Sequence, residues 1–460
     1  MCQKFKDKAG GTGGVEVKNF VPQFLKGTPE VTGPASFVIL ELFTDPDTHK
    51  LHAYLVITSN MSNNYFMTHN YEVIVIGGGI IGHATAFHLA NNNRNVALIN
   101  TIDYGLPASI AAAGLLTPYQ KEEIENPFLK NFNFKSYEYF LNFYQQIKDH
   151  VNIDLGFNIS GSLYLVFSNS EFAKKEMETR ELKNIDSNIS FLNKNEVAKT
   201  EPKITKDLVG AYHFPKEAYI NNPKFLKSIS QYLVDNSVSI FNSKVEELIT
   251  TNNKIEKLIL TNGKNISADK YVLCNGVWAN KFLKQIFKTD EDFIKPIKGE
   301  ILELSGSQVQ LLNKIIFCQD GYALPRPATN QFENPSILIG STSEEIDLLK
   351  HTNPFNNSLY GIQYLTKLFN KLFPDAKDCF IQDHWAGLRP KTKDAMPIIG
   401  KSENIENLYL GLGHYRNGIL MGPYTGKLLC DLIESNKTEF DISAFKLERF
   451  LKSTYTKVLN

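Results

Sequence analysis

Tyr71-Glu72-Val73-Ile74-Val75-Ile76-Gly77-Gly78-Gly79-Ile80-Ile81-Gly82 joins an apolar, β-branched run to a glycine turn. The first six residues have the pattern of a buried parallel strand, and Gly77 ends it. Gly77, Gly79 and Gly82 fit the spacing G-x-G-x-x-G. Gly77 permits a tight turn, Gly79 lets a pyrophosphate approach the backbone, and Gly82 lets the next helix pack closely on the strand. Small residues at Ala84 and Ala86 continue that helix from Ile81 to Asn91, and residues 95–100 read as a second strand. The helix N-terminus, at Ile80 and Ile81, offers N–H groups and a positive dipole end to phosphates. A glycine motif placed between a strand and a helix within one βαβ unit predicts a dinucleotide site. The ribose acid expected at the end of the second strand is replaced by Asn100, 18 residues after Gly82. Its amide can accept a hydrogen bond without the strength of a carboxylate. Asp103 is a nearby substitute.

The rest of the chain sets limits on function. Its 460 residues are enough for two or three domains. Lys+Arg and Asp+Glu number 49 each, so no net field draws nucleic acid or an anionic membrane. Hydrophobic residues are 42% and charged residues 21%, as in an ordinary folded domain. No apolar run approaches the ~20 residues of a membrane span. Residues 1–8 lack the apolar core of a secretory signal, so a cytoplasmic location is expected. Cys2, Cys274, Cys318, Cys379 and Cys430 are scattered and never spaced Cys-x-x-Cys. They read as free thiols, and no metal site is expected.

Residues 1–66 carry no chemical motif and form an unassigned N-terminal extension. Within them the apolar runs 37–43 and 51–58 flank Asp45-Pro46-Asp47 and predict a hairpin. Further on, helices are expected over 134–149, 223–235, 359–372 and 423–435. Strands are expected over 161–167, 238–245, 254–261, 271–274, 299–304, 315–318, 321–324 and 337–340. His83 and His88 stand five apart and read as ordinary helix residues.

Pro107-Ala108-Ser109-Ile110-Ala111-Ala112-Ala113-Gly114-Leu115-Leu116 is a run of small residues suited to a flat ring system. With this run the chain resembles the flavin-dependent amine oxidases of the D-amino acid oxidase superfamily. It is most similar to their glycine oxidase branch, associated with thiamine biosynthesis. Two further segments carry the resemblance. One is Trp385-Ala386-Gly387-Leu388-Arg389-Pro390-Lys391-Thr392-Lys393-Asp394. The other is Gly413-His414-Tyr415-Arg416-Asn417-Gly418-Ile419-Leu420. Weaker similarity runs through Lys298-Gly299-Glu300, Tyr322-Ala323-Leu324-Pro325-Arg326 and Cys274-Asn275-Gly276-Val277-Trp278. The resemblance covers about 70–445.

It implies an α/β fold in two domains. A Rossmann-type FAD-binding domain would be assembled from 70–125, 210–295 and 383–445. A substrate domain on a large antiparallel sheet would use 126–209 and 296–382. The cofactor implied is FAD, held without a covalent bond because Cys318 does not match an attachment motif. Beyond the glycine motif and Asn100, the resemblance places Ser109, Ala112, Ala113 and Gly114 at the flavin, Val245 at adenine through its backbone, and Gly276 also at the cofactor. Arg389, His414, Arg416, Asn417, Gly418, Ile419 and Leu420 would complete the cofactor site.

The implied reaction is oxidative deamination of glycine or another small amino acid. Hydride would pass to flavin N5 and O2 would be reduced to H2O2, with a role in thiazole synthesis. Arg389 presents a planar, permanently charged fork suited to a substrate carboxylate. Tyr322 would add a hydrogen bond, and Arg416 would stand at the active-site entrance. A homo-oligomer is compatible with this reading. Two alternatives remain open. One is a dehydrogenase for D-amino acids or secondary amines with a non-oxygen acceptor. The other is a non-catalytic flavoprotein.

Overall fold

The computed structural model describes residues 70–101, 107–119, 126–306, 312–329, 334–350 and 353–455, together with the strands Phe37–Thr44 and Leu51–Thr58. Residues 1–67 and 68–460 are separate compact units. In the first, the two strands pair antiparallel, with Phe37 opposite Thr58 and Thr44 opposite Leu51. The apolar runs led to this expectation. The turn residues Asp45, Pro46 and Asp47 lie outside the described residues.

The larger unit is built on two sheets. In the first, five strands run parallel in the order Ser239–Asn242, Val96–Asn100, Asn70–Ile76, Asn265–Leu273 and Leu408–Leu412. Numbered along the chain this order is 3-2-1-4-5, a doubly wound arrangement in which the expected βαβ unit supplies strands 1 and 2. Alternation along the strands separates two apolar layers. Val73, Val75, Leu98 and Val272 pack under helices Ile80–Asn91, Pro127–Val151, Asn222–Asp235 and Gly418–Ser435. Ile74, Ile76, Ile99 and Leu273 face the other way, toward Leu248, Leu258 and Phe282. Leu248 and Leu258 lie on the antiparallel strands Val245–Thr251 and Lys254–Leu260, which extend the sheet.

The second sheet has nine strands. It is antiparallel except where Ile315–Cys318 runs beside Ser162–Val166 in the same direction. Its longest pair joins Ile294–Gly306 to Cys379–Thr392.

Several elements depart from the sequence reading. Helix Pro127–Val151, expected with the substrate sheet, packs on the helices of the parallel sheet through Leu129, Phe132, Phe140 and Phe143. Strand Gly210–Phe214, expected with the cofactor domain, pairs with Ser162–Val166 in the nine-stranded sheet. Residues 238–245 divide: the strand ends at Asn242, and Val245 starts another. The last long helix starts at Gly418, so Pro423 lies inside it. Helix Asn169–Ile185 was not expected at all.

Candidate active site

A cavity of about 790 Å³ opens at the carboxyl ends of the parallel strands and reaches one face of the nine-stranded sheet. Open α/β sheets bind ligands at this position. The glycine turn shapes one end of it. Gly77 has φ of +110°, and a Cβ there would lie 2.6 Å from the Cys274 carbonyl carbon. A Cβ on Gly82 would overlap the Gly77 carbonyl oxygen. These two glycines are required by the fold. A Cβ on Gly79 would meet only the Ser109 hydroxyl, at 3.2 Å, so the protein itself leaves room there. Ser109 Oγ accepts the Ile80 N–H at 3.0 Å and ties the small-residue segment to the start of the helix.

Asn100 ends its strand beside this turn and lines the cavity. A Cβ on Gly78 would lie 2.6 Å from Asn100 Oδ1, so the amide rests on the glycine turn. Asp103 lies outside the described residues. Val245 lines the same region. So does Gly276, with φ of +58° and nothing within 4 Å of its Cβ position. An elongated cavity with a phosphate turn at one end and uncovered glycines along it fits FAD.

Most residues predicted for the site line this cavity, and two do not. Gly82 is a packing glycine. Leu420 is fully buried in the helical core. His414 lines the cavity, but its imidazole turns to Thr425, with Nε2 and Oγ1 2.9 Å apart. Burial pushes its pKa down to about 3, so it is neutral. The Asn417 side chain reaches toward Asn133, 3.4 Å away, and the residue caps the last long helix, whose Gly418 and Ile419 also line the cavity.

At the sheet end, Arg389 and Tyr322 lie on strands far apart in sequence. Gly299 and Gly340 make room for them: a Cβ on Gly299 would overlap the Arg389 guanidinium, and one on Gly340 the Tyr322 hydroxyl. Arg389 Nη2 donates to Ser341 Oγ at 2.7 Å, and Nη1 donates to the Thr342 carbonyl at 3.2 Å. Tyr322 and Arg389 stand close enough to influence each other's charge. Burial pulls the Arg389 pKa below its ordinary value; Tyr322 opposes this and Arg416 adds to it. Burial also raises the Tyr322 phenol. Arg416 lines the cavity and lies 5.0 Å from the centre of the Tyr415 ring. Ser341 and Thr342 were missed in the sequence. Their only signal was a small, polar run after the strand Ser336–Gly340.

A phosphate turn joined through one cavity to a buried arginine–tyrosine pair defines a dinucleotide-dependent oxidoreductase. Residues 72–432 match the DAO family of FAD dependent oxidoreductases, and the chain belongs to that family. Its cofactor is FAD. The chain is 30% identical over 395 residues to the bifunctional protein ThiO/ThiG of Synechocystis, covering 85% of this chain and 55% of that protein. It thus spans about half the length of these bifunctional relatives. It is 27% identical to the glycine oxidase of Geobacillus kaustophilus, covering 84% of this chain and 98% of the relative. The crystal structure of glycine oxidase from Geobacillus kaustophilus superposes with a TM-score of 0.74 at 28% identity, covering 83% of this chain and 99% of that one.

Proposed function

We propose that the protein oxidatively deaminates glycine or another small amino acid, with O2 as the final acceptor and H2O2 as a product. The observation that carries this reading is Arg389. It is an enclosed guanidinium whose hydrogen-bond partners are the neutral oxygens of Ser341 and Thr342. A buried cation of this kind gains from an anion. Two of its five N–H donors serve to hold its fork, which leaves donors for a substrate carboxylate. The Tyr322 hydroxyl adds a donor to the same anion. Gly299 and Gly340 leave the space over the sheet that the Arg389 guanidinium and the Tyr322 ring occupy. The parallel-sheet part then holds the dinucleotide and the nine-stranded sheet holds the substrate.

FAD, once bound, supplies the two-electron acceptor for the substrate Cα–H. The chain's own contribution is positioning: Arg389 and Tyr322 fix the carboxylate, which aims Cα into the cavity. His414 is neutral and committed to Thr425, so it is assigned no proton transfer. Arg416 stands at the cavity as a second cation. Relatives named ThiO/ThiG support a role in thiazole synthesis. None of Cys274, Cys318, Cys379 and Cys430 is in a disulfide, which supports a reducing, cytoplasmic location. Among the described residues no helix is long and apolar enough to cross a membrane.

Arg389→Lys keeps the charge and loses the planar fork. Loss of one charge-assisted bond, about 1.5–3 kcal/mol, predicts a roughly ten- to hundredfold weaker grip on glycine. Arg389→Ala costs more, while FAD affinity stays near normal. Anaerobic flavin reduction by glycine and titration with glycolate measure both effects. Normal reduction and glycolate binding in Arg389→Ala would place the carboxylate site elsewhere. Air oxidation of the reduced enzyme separates an oxidase from a dehydrogenase.

A further inference from the structure

The segment 111–114 forms part of the cavity wall, and each of its four carbonyl groups is engaged by a different donor. Trp385 Nε1 donates to the Ala111 oxygen at 2.9 Å. Asn222 Nδ2 donates to Ala112 at 2.7 Å, and Arg326 Nη2 to Ala113 at 2.9 Å. The Ile220 backbone N–H takes Gly114 at 2.9 Å. Arg326 also spans to the Ile220 carbonyl through Nη1, at 3.1 Å, and so locks the two chain segments together. Packing reinforces the hydrogen bonds. A Cβ on Gly387 would lie 2.5 Å from Ala111 Cβ.

The donors come from the framework that carries the substrate end. Trp385 pairs with Ile301, Ile301 with Gly340, and Gly340 with Tyr322, so Trp385 and Tyr322 share one cross-strand row. Arg389 is four residues from Trp385 along one strand, and Arg326 is four residues from Tyr322 along another. Read through the sheet register, these two arginines lie on opposite sides of the row. Each is ~13 Å from it at strand spacing. Side chains two or four residues apart on a strand share a face, so all four groups address the same side of the sheet. Asn222 comes from the other framework, at the start of the helix Asn222–Asp235 beneath the parallel sheet.

We propose that Trp385, Asn222 and Arg326 are positioning residues that clamp the 111–114 wall and thereby fix the flavin ring relative to Arg389 and Tyr322. This rests on the reading that the ring lies against 111–114. The three donors keep the carbonyl oxygens occupied on the outer side of the wall. They also tie it to both sheets, so the gap between ring and carboxylate grip is set by sheet register. An error of about 1 Å in such a gap can cost a hundredfold in rate.

The test uses full-length protein stripped of FAD and reloaded. Trp385→Phe keeps a ring against Ala111 and removes its N–H. Arg326→Met removes both guanidinium bonds, and Arg326→Lys restores a single donor. Loss of one neutral hydrogen bond predicts FAD binding weakened about three- to tenfold in Trp385→Phe. An altered visible spectrum of the bound flavin is expected with it. The limiting rate of anaerobic reduction by glycine should fall about tenfold. Glycolate affinity should stay within about twofold, because Arg389 is untouched. Arg326→Lys should recover part of the loss seen in Arg326→Met. If Arg326→Met yields no folded protein, Trp385→Phe decides alone. Wild-type flavin spectrum, FAD affinity and reduction rate in Trp385→Phe would overturn the clamp, even with a lowered melting temperature. So would equal losses in reduction rate and glycolate affinity. Wild-type protein that takes up no FAD would instead refute the underlying reading of the cavity.

Discussion

Gly79 and Gly82 belong to one motif but answer to different constraints. Ala at position 82 would collide with the Gly77 carbonyl, part of the rigid turn. Gly82→Ala should destabilise the folded chain by about 3 kcal/mol or more, as overpacking against backbone does at its upper end. Gly79→Ala meets only Ser109 Oγ at 3.2 Å and a backbone conformation open to any residue. It should cost the FAD-free protein within about 1 kcal/mol, the scale of an N-cap change. FAD binding should nonetheless weaken by about tenfold or more, because the methyl group enters the space for the pyrophosphate. Urea unfolding and FAD titration of both variants test this; the same pattern in the two would remove the distinction. Asn100→Asp places a carboxylate at the cavity where an amide now stands. Gained charge-assisted bonds to ribose, about 1.5–3 kcal/mol, should tighten FAD binding. Unchanged affinity would place the ribose away from this residue. The glycine motif was legible because its spacing records a local steric demand. Ser341 was not, since its meeting with Arg389 depends on the pairing of strands remote in sequence.

At the scale of elements, the helices Ile80–Asn91 and Gly418–Ser435 pack backbone against backbone. A Cβ on Gly426 would lie 2.6 Å from the Ala84 carbonyl carbon and 2.7 Å from the Thr85 nitrogen. Neither backbone atom can move without its helix. Gly426→Ala should therefore cost about 1–3 kcal/mol and lower the urea midpoint. A midpoint at the wild-type value would mean that the helices separate freely. Elements with a clear apolar pattern were legible, such as the strand Asn70–Ile76 and the helix Leu359–Leu372. Helix Asn169–Ile185 was not, because it buries only Thr179 and Leu182 and has no apolar stripe to read. Strand Cys379–Thr392 was hidden by Gly387 and Pro390, which punctuate a sequence like loop residues. Its long pairing with Ile294–Gly306, Pro390 opposite Pro296, overrides that local signal.

Three buried histidines tie the stability of the larger unit to pH. Burial lowers the pKa of His83, and lowers those of His88 and His414 to about 3. Each is neutral when folded and titrates near 6.5 when unfolded. Their stabilising contribution is complete above pH 6.5 and is lost as the pH falls, for His88 and His414 toward 3, because the unfolded chain takes up protons first. At pH 5 the loss is about 2 kcal/mol for each of His88 and His414. That is a large share of an overall stability of about 5–15 kcal/mol. His88→Gln should flatten the fall in melting temperature between pH 7 and 5 relative to wild type. An identical slope would show that His88 is not the source. The parallel pairing of the first two strands could be anticipated from the βαβ unit, and a Rossmann-type part beside a large antiparallel sheet from the family resemblance. The sharing of residues between the two sheets could not. Residues 127–151 and 210–214 each pack with the sheet opposite to the one their position suggested.

The packing of the first helix on Gly418–Ser435 also bears on how the protein is made. Arg94 Nε donates to Glu434 Oε1 at 2.8 Å across 340 residues of chain. A ribosome adding about 5–20 residues per second takes roughly 17 to 70 s to cover that interval. For that time the phosphate turn has emerged while Ile80 and Ala84, which pack against Gly422 and Gly426, lack the surface that will cover them. FAD loading draws on Gly418 and Ile419 as well as on the glycine turn, so it is expected only after residue 419 has been made.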